Sequence, residues 1–292
     1  MFIKTECMNL PQRFIIAVDG FIYLCKDKQI IQMTYVKPKK HLGQHFLKDM
    51  NISKRIAETI KTDKYVNVLE IGPGTGVLTQ FLLQDSNVDL QVIELDSESV
   101  DYLKENFPAL EGRIIFDDFL KYDLSKLFNG ESFVLIGNYP YNISSQIFFR
   151  VLENRDRIPY VVGMIQKEVA ERIAAPHGNK TYGITSVLLQ AFYSIDYLFT
   201  VHEHVFDPPP KVKSAVISLT RNATKQLDCD EKLFVQVVKT AFNQRRKTLR
   251  NSLKPLLQGV SCSEPIFEKR PEQLSVADFV ALTNMVALKL NH

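Results

Sequence analysis

The feature that most constrains the fold of this chain is the stretch VNVLEIGPGTG at residues 66–76. Its short apolar run, rich in β-branched residues, predicts a buried parallel strand, and the apolar residues at helical spacing in 77–82 predict a helix after it. Three glycines, Gly72, Gly74 and Gly76, lie between the two elements. Because glycine has no Cβ, the backbone can turn sharply there and a ligand can approach it closely. The stretch predicts a nucleotide site at the turn, with an ordinary connecting turn as the alternative.

Polar side chains follow the next three predicted strands, at residues 88–94, 113–116 and 133–137. The first strand ends in Glu94, near the distance at which doubly wound folds place an acid for ribose hydroxyls. A carboxylate can accept hydrogen bonds from two vicinal hydroxyls, although a solvated acid at a strand end is the alternative. The glycine spacing is G-x-G-x-G, which disfavours a NAD enzyme. Ligands of open α/β sheets bind where strands end, so we expect one site at this edge.

The alternation of strands and helices between residues 66 and 221 predicts an α/β fold with a mainly parallel, Rossmann-like sheet. A polar linker at 222–230 precedes a small C-terminal all-α domain. We therefore expect three parts: an N-terminal extension of unknown role at 1–36, a ligand-binding catalytic domain at 37–221, and a helical domain at 222–292. In the extension, Asp19 and Gly20 separate two apolar runs and suit a hairpin turn. Met33 precedes the first recognisable motif, so translation could start there.

Composition excludes some classes of protein. The net charge is +3, hydrophobic residues make up 45% of the chain, and no apolar run reaches the roughly 20 residues that span a bilayer. The four cysteines are scattered without a C-x-x-C pair, which disfavours a zinc site or a disulfide framework and fits a reducing cytoplasm. We expect a soluble cytoplasmic protein without a metal or a membrane anchor.

Two basic segments suggest a nucleic-acid partner. Between residues 239 and 254 the cations occur with no acid among them and with Asn and Gln interleaved. Arginine and amide side chains suit phosphate and base-edge contacts, although a solvated helix face is the alternative. A second basic segment at 37–40 precedes an aromatic and apolar stretch. The expected RNA-binding cations are Lys39, Lys40, Arg245, Arg246, Lys247 and Arg250.

The sequence NYPY at residues 138–141 combines an amide, a rigid turn and two aromatic rings. The exocyclic amine of adenine is a poor nucleophile, and acceptors for both of its N–H groups would help its lone pair to face an electrophile. The oxygen of Asn138 and a backbone carbonyl held by Pro140 could be these acceptors, and Tyr141 could stack on an extruded base. The implied electrophile is a sulfonium methyl on a nucleoside, held by the glycine turn, Glu94 and Asp118. An ordinary strand-end turn is the alternative.

With these motifs, residues 37–290 resemble the KsgA-type small-subunit rRNA adenine-N6,N6-dimethyltransferases. The resemblance implies S-adenosylmethionine as the cofactor and dimethylation of two adjacent adenosines near the 3′ end of 16S rRNA. It also implies a monomer that acts on a pre-30S particle during ribosome assembly. The motifs that carry it are GQHFL at 43–47, EIGPGTG at 70–76, VIELD at 92–96, GNYPYNIS at 137–144, FDPPPKVKS at 206–214 and QRRKTLRN at 244–251.

By position, the resemblance and the motifs together assign the site residues. The catalytic group is Asn138, Pro140 and Tyr141, and Phe206 matches a second aromatic near the target base. The cofactor contacts are His45, Leu47, Gly72, Gly74, Glu94, Asp118 and Asn138.

Two residues depart from the family pattern. His45 stands where many members carry Asn, and Tyr139 where they usually carry Leu, so we expect an altered fit with activity retained. The nearest alternative is the erythromycin-resistance type of 23S rRNA adenine methylase, which shares the N-terminal and Asn-Pro-Tyr marks. Residues 244–251 favour the small-subunit enzymes. A non-catalytic assembly factor is a further alternative, but it would not need an intact methyl-transfer motif at 138–141.

Overall fold

A computed structural model describes residues 13–18, 21–26, 29–34, 36–60, 64, 66–257, 260 and 262–290 of the chain, the first three of these segments as backbone only. These three are strands β1 (Arg13–Val18), β2 (Phe21–Lys26) and β3 (Gln29–Thr34), which form an antiparallel sheet separate from the central one. The hairpin expected between the apolar runs is present as the β1–β2 pairing. Its turn, Asp19 and Gly20, lies outside the described residues, and Met33 falls within β3.

The remaining strands and helices follow the predicted alternation closely. The strands are β4 (Phe46–Leu47), β5 (Asn67–Ile71), β6 (Asp89–Glu94), β7 (Ile114–Phe116), β8 (Val134–Asn138), β9 (Tyr160–Gln166), β10 (Tyr193–Val201), β11 (Phe206–Asp207) and β12 (Ser214–Arg221). The helices are α1 (Met50–Ala57), α2 (Thr79–Leu82), α3 (Ser97–Asn106), α4 (Ser144–Glu153), α5 (Lys167–Ala174), α6 (Ile184–Gln190), α7 (Glu231–Asn243), α8 (Leu249–Ser252), α9 (Lys254–Leu257) and α10 (Val276–Leu290).

The central sheet has seven strands in the order β10-β12-β9-β8-β5-β6-β7. The pairs from β9 to β7 are parallel, and β12 and β10 add an antiparallel edge. The expected mainly parallel α/β sheet is therefore confirmed. The chain runs outward from β5 to β7 and then returns to place β8 beside β5. This reversal opens a crevice at the carboxyl ends of the strands, where ligands bind in such folds.

Two hydrophobic clusters cover the two faces of the sheet, because successive strand residues point to opposite sides. Leu69 and Leu135 belong to the first cluster, whereas their neighbours Val68 and Val134 belong to the second. The first cluster continues without a break into the C-terminal helices, where Phe234 is fully buried in it. The helical part thus packs directly against the sheet-bearing part. The proposed boundary at residues 221 and 222 stays a prediction.

The helix expected after the glycine turn is short. Gly74 and Gly76 have φ values of +56° and +75°, which a right-handed helix cannot include, and the regular helix begins only at Thr79. The sequence had suggested a helix for the basic segment at 244–247, but this segment is not helical. Helix α7 ends at Asn243, and Gln244 leaves the helical region with φ −122° and ψ 49°. Arg245, Arg246 and Lys247 therefore lie in the turn between α7 and α8.

Within the described residues, no helix has the length and the apolar character needed to cross a membrane.

Candidate active site

A cleft of about 930 Å³, open mouth included, lies outside the carboxyl ends of β5, β6 and β8. It is enclosed on one side by the segment that precedes β4. Eight of the residues singled out from the sequence line it: His45, Gly72, Gly74, Glu94, Asp118, Asn138, Pro140 and Tyr141.

The glycine turn forms the floor of the cleft. Gly72 has φ +62°, and a Cβ built on it would meet no atom within 4 Å, so its backbone faces open space. The Gly72 N–H donates to the Ile93 carbonyl at 3.0 Å, which ties the turn to β6. A Cβ on Gly74 would lie 2.9 Å from the Phe46 ring, so the segment before β4 packs directly on the turn. Phe46 is a lining residue that the sequence reasoning did not single out.

Glu94 is buried at the end of β6 and is held by backbone donors. Its Oε1 accepts hydrogen bonds from the N–H groups of Leu95 and Asp96, both at 2.9 Å, and its Oε2 accepts one from Gly74 at 3.1 Å. Burial raises the pKa of Glu94, against the opposing effect of these three N–H groups. Because Oε2 accepts only one of these bonds, it retains capacity for another donor in the cleft.

Glu70 lies below the glycine turn and was not singled out from the sequence as a functional residue. It is almost fully buried and accepts a hydrogen bond of 2.7 Å from the Thr79 hydroxyl. Burial raises the pKa of Glu70 from its ordinary value of 4.5 to about 8, although the Thr79 bond opposes this. The carboxyl group is therefore mostly protonated at neutral pH, and it fixes the start of α2 without adding charge beneath the cleft.

Asn138 ends β8 and faces the cleft with a defined amide orientation. Its Nδ2 donates to the His45 carbonyl at 2.9 Å, so its Oδ1 is turned away from that carbonyl. The peptide that follows Asn138 is anchored by the Tyr139 N–H, which donates to the Met164 carbonyl oxygen at 3.0 Å. Within the part of the chain that the structure describes, no donor reaches the Tyr139 carbonyl, whereas the Pro140 carbonyl accepts from Ile143 at 3.2 Å. Of the two carbonyls beside the proline, that of Tyr139 is the one left to accept.

Tyr141 is half-buried, and its hydroxyl shares a short hydrogen bond with the Ser214 hydroxyl. Burial raises the pKa of Tyr141 against the opposing Ser214 bond, so its phenol stays neutral. The His45 ring lies 5.3 Å from the Tyr141 ring, centroid to centroid, with the planes tilted by 30°. A flat aromatic surface is thus held at the cleft.

Tyr139, the second departure from the family pattern, is a core residue. Its ring is completely buried, and its hydroxyl donates to the Val162 carbonyl at 3.2 Å. The ring occupies space that glycine leaves free, because a Cβ on Gly163 would lie 2.6 Å from it and one on Gly137 would lie 3.0 Å from it. The Tyr139 side chain therefore packs within the sheet, and the altered fit expected at this position stays a prediction.

Two residues predicted for the site do not line the cleft. Phe206 has 0% of its surface exposed and belongs to the second hydrophobic cluster, and Leu47 is only 7% exposed. The two pair in the short β4–β11 ladder, where strand alternation turns Phe206 inward and Asp207 outward. The structure therefore does not place the Phe206 ring on the surface of the cleft, and its position near a target base stays a prediction. Both residues support the cleft wall from behind.

The predicted RNA-binding cations differ in whether they are already bonded within the protein or exposed to solvent. Lys39 forms ion pairs with Asp96 and, at 3.1 Å, with Glu98, so its charge is already neutralised. Arg250 pairs with Glu268, and Arg245 donates to the Asn179 carbonyl at 3.4 Å. Lys40, Arg246 and Lys247 are exposed.

Two further exposed lysines lie close to the cleft, Lys211 and Lys213. They belong to the loop that touches His45 through Pro208 and leads to Ser214. The motif at 206–214 contained them, but only the fold shows their position.

Asp96 connects the segment before β4 to the end of β6. Burial alone would raise the pKa of Asp96, but hydrogen bonds from Lys39, Gln44 and Ser99 outweigh it and hold the pKa below its ordinary value. The side chain of Gln44, another lining residue not singled out from the sequence, donates to it at 3.3 Å. Among the described residues, no three His, Cys, Asp or Glu side chains cluster as a metal site would require.

Comparisons with known proteins agree with this geometry. The family profile described as "Ribosomal RNA adenine dimethylase" matches residues 36–287. The ribosomal RNA small subunit methyltransferase A of Parabacteroides distasonis is 69% identical over 254 residues, which cover 86% of this chain and 94% of that protein. The protein of the same name from Bacteroides thetaiotaomicron is 65% identical over 257 residues, 87% of this chain and 96% of that protein.

Solved structures show the same likeness. A dimethyladenosine transferase from Plasmodium falciparum superimposes with a TM-score of 0.67 at 27% identity, over 84% of this chain and 98% of that one. The 23S rRNA methyltransferase ErmE superimposes with a TM-score of 0.58 at 26% identity, over 82% and 99%. The profile match spans most of the chain, and the identities to the small-subunit enzymes far exceed that to the 23S enzyme. The chain belongs to the ribosomal RNA adenine dimethylase family.

Proposed function

We propose that this chain transfers methyl groups to N6 of two adjacent adenosines near the 3′ end of 16S rRNA and dimethylates each of them. Membership of the family makes it a methyltransferase that depends on S-adenosylmethionine and modifies rRNA adenine. The observation that carries the proposal is a pair of acceptors at the end of β8, the Asn138 Oδ1 and the Tyr139 carbonyl, to which no donor among the described residues is bonded. A pair of acceptors on consecutive residues matches in number the two N–H bonds of an exocyclic amine.

The cleft fits S-adenosylmethionine. Gly72 leaves room for a ligand against the backbone, Glu94 has acceptor capacity for ribose hydroxyls, and Asp118 lines the same cleft. The apolar residues that line the cleft next to these two acids in sequence suit a purine ring, namely Ile93, Leu95, Phe119 and Leu120. When bound, the cofactor supplies a methyl group on a positively charged sulfur.

The residues of 138–141 would prepare the target amine. Hydrogen bonds from the amine to the Asn138 Oδ1 and the Tyr139 carbonyl favour a tetrahedral nitrogen, whose lone pair is then free for reaction. Pro140 fixes φ and holds the carbonyl in place, and Tyr141 offers a stacking surface worth about 1–3 kcal/mol for an unstacked base. Acceptors that are already in position need no reorganisation when positive charge develops on the nitrogen.

RNA affinity would come from exposed cations beside the cleft and on the turn between α7 and α8. We place Lys40, Lys211 and Lys213 on the cleft side and Arg246 and Lys247 on the turn. In this proposal residues 37–221 bind the cofactor and the target base, residues 222–292 bind RNA, and residues 1–36 have no assigned role. We also propose that the enzyme acts as a monomer on a pre-30S particle in the cytoplasm, without a metal.

In vitro methylation tests the proposal directly. Purified protein with labelled S-adenosylmethionine is offered 30S subunits from a strain that lacks the modification and, in a parallel reaction, 50S subunits and free 23S rRNA. We expect label only in 16S rRNA, as dimethyladenosine in one 3′-terminal fragment by mass spectrometry. Label in 23S rRNA alone would favour a 23S rRNA methyltransferase activity like that of ErmE, and no label in any substrate would refute catalysis.

A further inference from the structure

We infer that Ser214 is a positioning residue for methyl transfer, which holds the Tyr141 ring in place to receive the target adenine. The inference rests on the proposed function, because it concerns the same target base. Ser214 is fully buried and is not among the residues that line the cleft, so it can act on the base only through Tyr141. Three features of the structure carry the inference: the anchoring of Ser214, its bond to Tyr141, and the loop that precedes it.

Ser214 is the first residue of β12 and is fixed from both sides of that strand. It lies opposite Gln166 of β9 in one ladder and opposite Val201 of β10 in the other. The backbone just before it is bound as well, because the Lys213 carbonyl accepts a hydrogen bond of 2.9 Å from the Lys167 N–H. Strand residues paired on both sides open least in a folded protein, so the Ser214 hydroxyl has a defined position.

The hydrogen bond between the two hydroxyls fixes the outer end of the Tyr141 ring. Tyr141 is only half-buried and lines the cleft, so packing alone does not enclose its ring. The bond to Ser214 ties the exposed side chain to the rigid sheet and sets where its hydroxyl end points. Immobilising a side chain at the moment of binding costs free energy, so a ring that is ordered beforehand receives the base at a lower cost.

The loop at 207–213 connects the same anchor to the RNA backbone. It contains three consecutive prolines, whose fixed φ angles stiffen the chain. The loop begins where β11 pairs with β4, and it ends at Ser214. It carries two exposed cations, Lys211 and Lys213, to which we have assigned RNA phosphates. A phosphate bound there and the Tyr141 ring would thus be held in register by one stiff segment.

A double-mutant cycle tests the bond. Ser214→Ala and Tyr141→Phe each remove one of the two hydroxyls, and each should lower the single-turnover rate on 30S subunits about 3- to 10-fold at saturating cofactor. The double variant should be no slower than the slower single variant, because one bond can be lost only once. The concentration of 30S subunits that gives half the maximal rate should stay within about twofold of wild type, since RNA affinity comes from the cations.

Ser218→Ala is the matched control. Ser218 is also buried in β12, but it lies opposite Val162 in the middle of β9, away from the carboxyl end of that strand. The loss of its hydroxyl should leave the methylation rate at the wild-type value. Ser214→Cys keeps the size of the side chain with a weaker hydrogen-bonding group, so its rate should lie between those of wild type and Ser214→Ala.

The inference is overturned if Ser214→Ala transfers methyl at the wild-type rate. It is also overturned if Ser214→Ala slows the Tyr141→Phe protein by a further factor of about 3 or more, because the serine then acts through the sheet and not through Tyr141. A loss above about 100-fold in Tyr141→Phe, beside only a few-fold loss in Ser214→Ala, would give the phenol its own role in the chemistry and would overturn the inference as well.

Thermal unfolding of each variant shows whether it is folded. If Ser214→Ala does not fold, Ser214→Cys replaces it in the cycle. A reduced rate with no further loss in the Tyr141→Phe background then supports the inference, and a wild-type rate overturns it. Failure of the wild-type protein to methylate 30S subunits would refute the proposed function instead.

Discussion

Replacing Glu94 by alanine is expected to weaken the binding of S-adenosylmethionine by roughly 10- to 150-fold in Kd. Glu94 is buried at the end of β6, and among the described residues its Oε2 accepts one hydrogen bond, from Gly74 at 3.1 Å. A hydrogen bond from a ribose hydroxyl to this charged group contributes about 1.5–3 kcal/mol. At about 1.4 kcal/mol for each factor of ten in Kd, this range converts to the expected loss.

The same substitution has a structural cost that the affinity measurement must separate. Glu94→Ala removes the acceptor of three backbone N–H groups, those of Gly74, Leu95 and Asp96. A buried donor left without a partner costs about 1–3 kcal/mol, so we also expect a lower thermal unfolding midpoint. Glu94→Gln keeps one acceptor oxygen and the side-chain shape, so it should lose affinity with a smaller loss of stability.

Isothermal titration calorimetry with S-adenosylmethionine, at a temperature where every variant is folded, measures the effect. Asp101→Asn removes an exposed acid on α3, away from the cleft, and serves as the control with an unchanged Kd. The ribose assignment is refuted if both Glu94 variants are folded and bind within about twofold of wild type.

Three further predictions follow from the same structure. Asn138→Ala should lower the single-turnover methylation rate by about 10²–10³ at saturating cofactor, while filter binding shows nearly normal affinity for 30S subunits; a rate within a few-fold of wild type would make Asn138 only a turn residue. Replacing Arg246 and Lys247 together by alanine should flatten the log–log salt dependence of RNA binding by about 0.7–0.9 for each lost phosphate contact, and equal slopes would mean a merely solvated turn. Because the folded-state pKa of Glu70 is raised to about 8, the folded protein binds more protons than the unfolded chain from about pH 4.5 to pH 8, and stability should fall across that window. Denaturant titrations of Glu70→Gln should show a flatter pH dependence there; the same slope as wild type would contradict the burial argument.

The sequence alone determined the order of elements and much of the cleft. Strand and helix periods are local properties, so β5, β6 and β8 could be predicted almost to their ends. Parallel strands bring their carboxyl ends to one edge, so residues far apart in sequence, such as Glu94 and Asn138, could be assigned to one site. The glycine turn could be recognised because few other residues accept the positive φ values that it adopts.

What the tertiary structure alone decided concerns partners that no local pattern encodes. The Lys39 side chain meets Asp96 57 residues away, so a cation expected on RNA is already paired. Phe206 turns into the core because its strand pairs with β4, and Tyr139 fills space that Gly163 on the next strand leaves free. His45 gains its contacts with Pro208, Tyr141 and Asn138 only when three separate loops converge. Burial, charge pairing and amide orientation depend on which atoms surround a side chain, and the fold determines those surroundings.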